Sequence, residues 1–164
     1  MEIKYFNSNF DKITQNKDTD QNITNLIEKL PSLNIISDKN LLEETIKISN
    51  QFKEKKEKII VFGTGGSNLG ARALNNVISN NKIILEFYDN VDPINFEKNF
   101  QNINFELTGF LVVSKSGTTP ETLSQFSCLY QKAIEANKVE AFFSNTLIIT
   151  EFKESPLFKI AKDN

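Results

Sequence analysis

Ile59-Ile60-Val61-Phe62-Gly63-Thr64-Gly65-Gly66-Ser67-Asn68-Leu69-Gly70 carries the chain from an apolar run into a glycine-rich turn and then a helical pattern. The run has no polar alternation, as expected of a strand covered on both faces. The glycines let the backbone take positive φ and approach a ligand closely. Leu69, Leu74, Val77 and Ile78 follow at helical spacing. Ser67 and Asn68 therefore fall at a helix N-terminus, where free N–H groups and about half a positive charge face outward, and an anion is the natural occupant.

The same grammar repeats downstream. Apolar runs recur at Ile83–Phe87, Phe110–Val113 and Thr146–Ile149. Between them lie helical patterns at Phe96 and Phe100, then at Leu123, Phe126, Tyr130, Ala133 and Ile134. Strand–helix alternation predicts an α/β fold, a doubly wound parallel sheet with right-handed crossovers. Asp92-Pro93 and Thr119-Pro120 each place a capping residue before a proline at the first helical position. Such sheets bind ligands at the carboxyl ends of their strands.

A second turn, Ser114-Lys115-Ser116-Gly117-Thr118-Thr119, follows the third strand and leads into Pro120-Glu121-Thr122. Its hydroxyls, set around a glycine ahead of a helix, form a cup of donors. Each hydrogen bond to a charged oxygen contributes about 1.5–3 kcal/mol, so several together hold a phosphate monoester without metal. Two readings of Glu121 stay open. It closes a Thr118-x-x-Glu121 capping box, or it orients a catalytic group beside the phosphate. Lys115 contributes its charge or only its backbone N–H.

Two nucleotide motifs fail on this sequence. A dinucleotide fingerprint begun at Gly63 needs a glycine where Asn68 stands, and a Walker A loop begun at Gly65 ends in Ala71-Arg72. The bland alternative, a glycine turn that only reverses the chain, is weaker for two such turns on one sheet edge than for either alone.

Composition narrows the chemistry further. The 164 residues are 39% hydrophobic and 24% charged, with a net charge of -2. The isoelectric point near 5.3 argues against a nucleic-acid partner, which would need a basic face. No apolar run approaches a membrane span, and the polar start Met1–Gln15 is no signal peptide, so a soluble cytoplasmic protein is expected. The chain has no histidine, which excludes histidine-dependent triads and most zinc sites within it. Its one cysteine, Cys128, forms no internal disulfide and is expected as a small core residue.

Upstream of Ile59 the sequence is polar and rich in asparagine and lysine. Leu26, Ile27 and Leu30 before Pro31 predict a short helix. Asp38 is the expected N-cap of another, with Leu41, Leu42, Thr45, Ile46, Ser49 and Phe52 on one face. Lys53–Lys58 is its solvated end. The expected organisation is an N-terminal helical segment over residues 1–57 and a ligand-binding domain over 58–164, incomplete at its C-terminus.

Gly63–Gly70 with Ala71-Arg72-Ala73, Asp89-Asn90-Val91-Asp92-Pro93 and Val113–Leu123 resemble glucose-6-phosphate isomerases, in order and at similar separations. The resemblance extends through Ile149-Thr150-Glu151 to a helix start at Ser155-Pro156-Leu157. It implies a SIS (sugar isomerase) domain of flavodoxin-like three-layer form. It also implies aldose–ketose isomerisation of glucose 6-phosphate and fructose 6-phosphate, without metal or cofactor, in a homodimer.

Phosphate and sugar contacts carried over from the family fall on Gly66, Ser67, Ser114, Lys115, Ser116, Gly117, Thr118 and Thr119, and Glu121 matches a glutamate near the catalytic centre. Thr64, Gly117 and Pro120 depart from the usual pattern, which has isoleucine, phenylalanine and glutamine there. The histidine that opens the sugar ring and the glutamate that shuttles the proton lie further downstream in the family. The chain thus resembles an isomerase's amino-terminal part and is expected to be inactive alone. The alternatives are a non-catalytic sugar-phosphate sensor and another SIS enzyme acting on aminosugar phosphates.

Overall fold

The β-branched run from Lys58 to Phe62 forms β1, with four of its five residues buried. It pairs in parallel with β2 (Ile84–Tyr88) on one side and β3 (Thr108–Val113) on the other. β4 (Thr146–Ile149) adds to β3, giving the order β2-β1-β3-β4. The computed structural model describes residues 17–30, 34–78, 82–151 and 153–164. The polar start Met1–Gln15 and Pro31 lie outside the described residues.

The described helices are α1 (Lys17–Lys29), α2 (Lys39–Phe52), α3 (Leu69–Val77), α4 (Pro93–Phe100), α5 (Pro120–Glu135), α6 (Val139–Ser144) and α7 (Pro156–Asp163). The chain divides into two units, Met1–Lys47 and Ile48–Asn164. In the first, Asp38 caps α2 as expected, its Oδ1 accepting the Leu41 N–H at 3.0 Å. Leu41, Leu42 and Ile46 share the expected face, yet all are exposed.

In the second unit one sheet face carries the core. Ile60 and Phe62 of β1 and Phe110 and Val112 of β3 pack with Phe100 of α4, Phe126, Leu129 and Ala133 of α5, Phe142 of α6 and Leu157 of α7. Each such side chain contributes about 1.5–3 kcal/mol by leaving water. Aromatic pairs knit the layer: Phe96–Phe100 at 4.2 Å, Phe110–Phe142 and Phe126–Phe142 each at 5.2 Å between ring centroids. On the other face Ile59 and Val61 are buried. Gly109 lies so close to Phe52 there that a Cβ would stand 3.0 Å from the ring. The α3 side chains Leu69, Leu74 and Val77, at helical spacing in the sequence, are exposed.

Cys128 corrects an expectation, for it is exposed and not a core residue. Phe126, Leu129 and Ala133 define the buried stripe of α5, and position 128 falls off that stripe. β2 lies one residue later than its apolar run, and β3 begins two residues earlier, at Thr108, and ends as expected at Val113.

The strand order fixes where a ligand fits. From β1 the chain crosses to β2 on one side, then returns past β1 to β3 and moves on to β4. The direction therefore reverses between β1 and β3. The carboxyl ends of these two central strands open a crevice at the topological switch point.

Candidate functional site

Both turns begin at that crevice. Gly63 follows β1 and Ser114 follows β3, and the strand ladder runs one step into each: Gly63 N–H bonds Tyr88 O at 3.3 Å, Ser114 N–H bonds Ile149 O at 3.0 Å. A Cβ on Gly63 would sit 3.2 Å from Val113 O, so this glycine lets the turn leave the sheet tightly.

The first turn is a single 3₁₀ turn, Gly65–Ser67, closed by Ser67 N–H on Thr64 O and Asn68 N–H on Gly65 O, each at 3.1 Å. Gly65 has φ +53, the left-handed region glycine favours. Gly66 is different. Its φ is not in that region, and nothing among the described residues lies within 4 Å of where its Cβ would be. Among the described residues, the N–H groups of Gly65 and Gly66 and the Ser67 hydroxyl have no hydrogen-bond partner. Asn68 stands at the N-cap position of α3 but does not cap it. Its side chain is fully buried and turns back, Nδ2 donating to Gly63 O at 3.0 Å, which ties the turn's two ends together.

The second turn spends its hydroxyls in pairs. Ser114 Oγ and Thr119 Oγ1 lie 2.9 Å apart, and Thr118 Oγ1 donates to Ser116 Oγ at 3.0 Å. Gly117 N–H also bonds Ser114 Oγ at 3.1 Å, and Thr118 N–H bonds Ser116 Oγ at 3.2 Å. Each hydroxyl carries one proton, so each pair retains one O–H to offer outward. The N–H groups of Ser116 and Thr119 have no acceptor among the described residues. Two hydroxyl protons and two amides thus face the demand of a phosphate monoester for donors.

This pairing overturns one expectation and closes one open reading. Thr119 precedes Pro120 as expected but makes no capping bond, because its hydroxyl is committed to Ser114. The Thr118-x-x-Glu121 capping box does not form either, because Thr118 is turned to Ser116. Glu121 is exposed in the first turn of α5, with no hydrogen bond or ion pair among the described residues. The other caps are made as read: Asp92 Oδ1 accepts the Ile94 and Asn95 N–H groups, and Ser155 Oγ accepts that of Phe158.

Lys115 is held by its backbone. Its carbonyl accepts Glu151 N–H at 3.1 Å, while its ammonium, 79% exposed, lies 3.6 Å from Glu151 Oε2. An ion pair this exposed contributes at most about 1 kcal/mol. Gly117 departs from the family's usual phenylalanine, and the structure supplies a reason. Its φ is +64, and a Cβ there would stand 2.5 Å from Ser155 Cβ and 2.8 Å from Thr150 Oγ1. No larger residue fits this arrangement.

Some contacts left no trace in sequence pattern. Arg72 Nη1 pairs with Asp89 Oδ2 at 2.9 Å, and Gln125 Nε2 donates to Asn90 O at 2.7 Å, fixing the Asp89–Asp92 segment beside the crevice. Burial pushes the neighbouring Tyr88 phenol above its ordinary pKa, and the Glu86 carboxylate adds to the shift. A groove of about 650 Å³ lined by Val91, Phe96, Gln125 and Cys128 lies away from both turns. The crevice is marked by its donors rather than by its volume.

The phosphoglucose isomerase family model matches residues 28–156. The chain belongs to the phosphoglucose isomerase family. It is 36% identical over 119 residues to a glucose-6-phosphate isomerase of Borreliella burgdorferi, covering 68% of this chain and 22% of that protein. It is 35% identical over 120 residues to one from Prochlorococcus marinus, covering 71% and 22%.

Among solved structures, a hypothetical protein from Thermus thermophilus superposes with a TM-score of 0.65 at 27% identity, covering 74% of this chain and 30% of that one. A glucose-6-phosphate isomerase from Chlamydia trachomatis gives 0.61 at 26% identity, covering 70% and 23%. The α/β fold expected from the sequence is thus the fold of the family's solved relatives. The chain spans about a fifth of the length of the curated relatives it matches. Among the described residues no helix is long and apolar enough to cross a membrane.

Proposed function

We propose that the crevice between β1 and β3 anchors the phosphate of a hexose 6-phosphate, and that the protein serves the cytoplasmic interconversion of glucose 6-phosphate and fructose 6-phosphate. Membership of the phosphoglucose isomerase family motivates the substrate. The observation that carries the site is the second turn. Ser114, Ser116, Thr118 and Thr119 are paired so that two hydroxyl protons remain, beside unspent amides at a switch point. Gly66 and Ser67 complete the donors from the first turn, with residues 58–164 as the binding domain.

In this reading the chain's share of the chemistry is positioning. Holding the phosphate fixes C1 and C2 relative to groups that move a proton between them, and converts an encounter into an oriented complex. Lys115 adds positive charge at the rim, and its backbone holds the cup's shape. Glu121, no longer needed as a cap, is available to orient a partner group near the sugar. Ring opening by histidine is outside this chain's means, since it has none. The 164 residues alone are therefore expected to bind without turnover.

Four or five charge-assisted bonds at about 1.5–3 kcal/mol each contribute about 6–15 kcal/mol, largely offset by an association cost of about 4–15 kcal/mol, so weak binding is expected. Calorimetric titration tests this. The chain should bind fructose 6-phosphate and not fructose, and Ser114→Ala with Thr119→Ala should abolish the binding. Equal affinity for the two sugars, or binding indifferent to the double substitution, would remove the phosphate assignment. Aldose–ketose interconversion by the purified chain would overturn its purely anchoring role.

A further inference from the structure

The Ser114–Thr119 cup is not shaped by its own residues alone. Three contacts reach it from the chain that follows β4. Glu151 N–H bonds Lys115 O at 3.1 Å, Leu157 N–H bonds Gly117 O at 3.3 Å, and Thr150 Oγ1 lies 3.4 Å from Lys115 O. Against Gly117 stands the side chain of Ser155, itself only 4% exposed. The same Ser155 caps α7 through its hydroxyl, with Leu157 of that helix fully buried in the core. A rigid helix start is therefore pressed against the one residue of the cup that has φ +64.

We infer that Ser155 is a positioning residue for phosphate binding: its Cβ walls Gly117 into the left-handed conformation that aims the cup's hydroxyls and amides. This rests on the phosphate reading of the cup and assigns it a determinant that lies about forty residues downstream on a different element. The physical reason is freedom. Glycine visits both signs of φ readily, so a cup built around one needs something outside it to select the productive sign. The Gly117 N–H bond to Ser114 and the Ser155 wall make that selection together.

Ser155 has two roles that separate by substitution. Ser155→Gly removes the wall but costs little as a cap, because glycine is nearly as good at that position. Ser155→Ala loses the cap and the Oγ that also faces Gly117, but keeps the Cβ, which still stands too close to allow a side chain at position 117. On the full chain, Ser155→Gly should raise the Kd for fructose 6-phosphate about tenfold while Tm moves by less than about 2 °C. Ser155→Ala should lower Tm by about 2–4 °C and leave the Kd within about twofold. A merely structural role would make affinity follow stability in both. Unchanged affinity in Ser155→Gly, or a loss in Ser155→Ala as large as that in Ser155→Gly, overturns the inference.

Wild-type protein provides a check that needs no variant to fold. Saturating fructose 6-phosphate should slow amide exchange at Glu151 and Leu157, since a ligand that needs the braced cup stabilises the brace. Exchange there that ignores the ligand overturns the inference as well. The control is Ser114→Ala with Thr119→Ala. If that pair leaves binding intact, the phosphate reading fails and the role of Ser155 falls with it; if the pair abolishes binding while Ser155→Gly leaves the Kd unchanged, only the positioning role fails.

Discussion

The two turns at the switch point bear the same relation to the sheet and are built in opposite ways. The Ser114–Thr119 turn is closed on itself by paired hydroxyls and held from outside at Lys115 and Gly117. The Gly63–Gly70 turn is closed by two 3₁₀ backbone bonds and one buried side-chain tie, Asn68 on Gly63 O, and among the described residues leaves open space at Gly65 and Gly66. Glycine has a different meaning in each. Gly117 is forced by its neighbours and its φ, whereas among the described residues nothing constrains Gly66. The contrast teaches that one turn is shaped by itself and its neighbours while the other keeps open space; under the proposed phosphate site the first is a mould and the second a clearance. The mould should govern affinity and stability together. The clearance should govern affinity alone.

The largest effect that would sharpen this contrast is at Gly117. Gly117→Ala meets both a left-handed backbone, costing about 1–2 kcal/mol, and an overlap with Ser155 that only a shift of the chain relieves. Urea denaturation should show a loss of about 3 kcal/mol or more, with fructose 6-phosphate binding abolished. A variant as stable as wild type would mean that the mould is not held as described.

Next comes the hydroxyl pair. Ser114→Ala with Thr119→Ala should abolish measurable fructose 6-phosphate binding, a loss of about 100-fold or more, while costing only about 1–2 kcal/mol in folding. The stability loss is modest because the two hydroxyls leave together and the Gly117 N–H keeps its bond to Ser114 O, whereas the ligand loses charge-assisted bonds.

Gly66→Ala sits between the two turns as the discriminating change. With no positive φ to violate and open space around it, alanine should leave folding within about 0.5 kcal/mol or stabilise it slightly. Binding should nonetheless weaken about tenfold if the ligand passes close to that backbone. A destabilised Gly66→Ala would erase the distinction between mould and clearance. The smallest effect is expected at Lys115→Ala, below about 0.5 kcal/mol in stability, because its ion pair is largely solvated.

How much of this was legible beforehand follows from the range of the forces involved. β1 lies where its apolar run put it, since a strand buried along most of its length leaves an uninterrupted apolar signature, and the half-buried edge strand β4 matches its run as well. The Asp92, Ser155 and Asp38 caps were readable because capping is local, reaching two or three residues along the chain. Thr119 looks the same by that rule and behaves otherwise, because Ser114, five residues away across the turn, takes its hydroxyl.

Cys128 was misplaced for the opposite reason. Residue type argued for burial, while the helical period set by Phe126, Leu129 and Ala133 put position 128 off the core stripe, and the period won. The exposed Leu69, Leu74 and Val77 show the limit of periodicity itself, which reports a shared face and not what covers it. The contact of Ser155 with Gly117 joins residues far apart in sequence, and no spacing rule announces it. The two glycine turns themselves were fully visible, but only the geometry separated the forced glycine from the free one.

Amide chemical shifts of the labelled chain, followed while glucose 6-phosphate and then glucose are added, test the central claim most directly. If the crevice anchors a phosphate, Gly65, Gly66, Ser116 and Thr119 shift together with one saturation curve under the phosphate ester and stay still under the free sugar. Shifts confined to other parts of the sheet, or equal responses to both sugars, would contradict it.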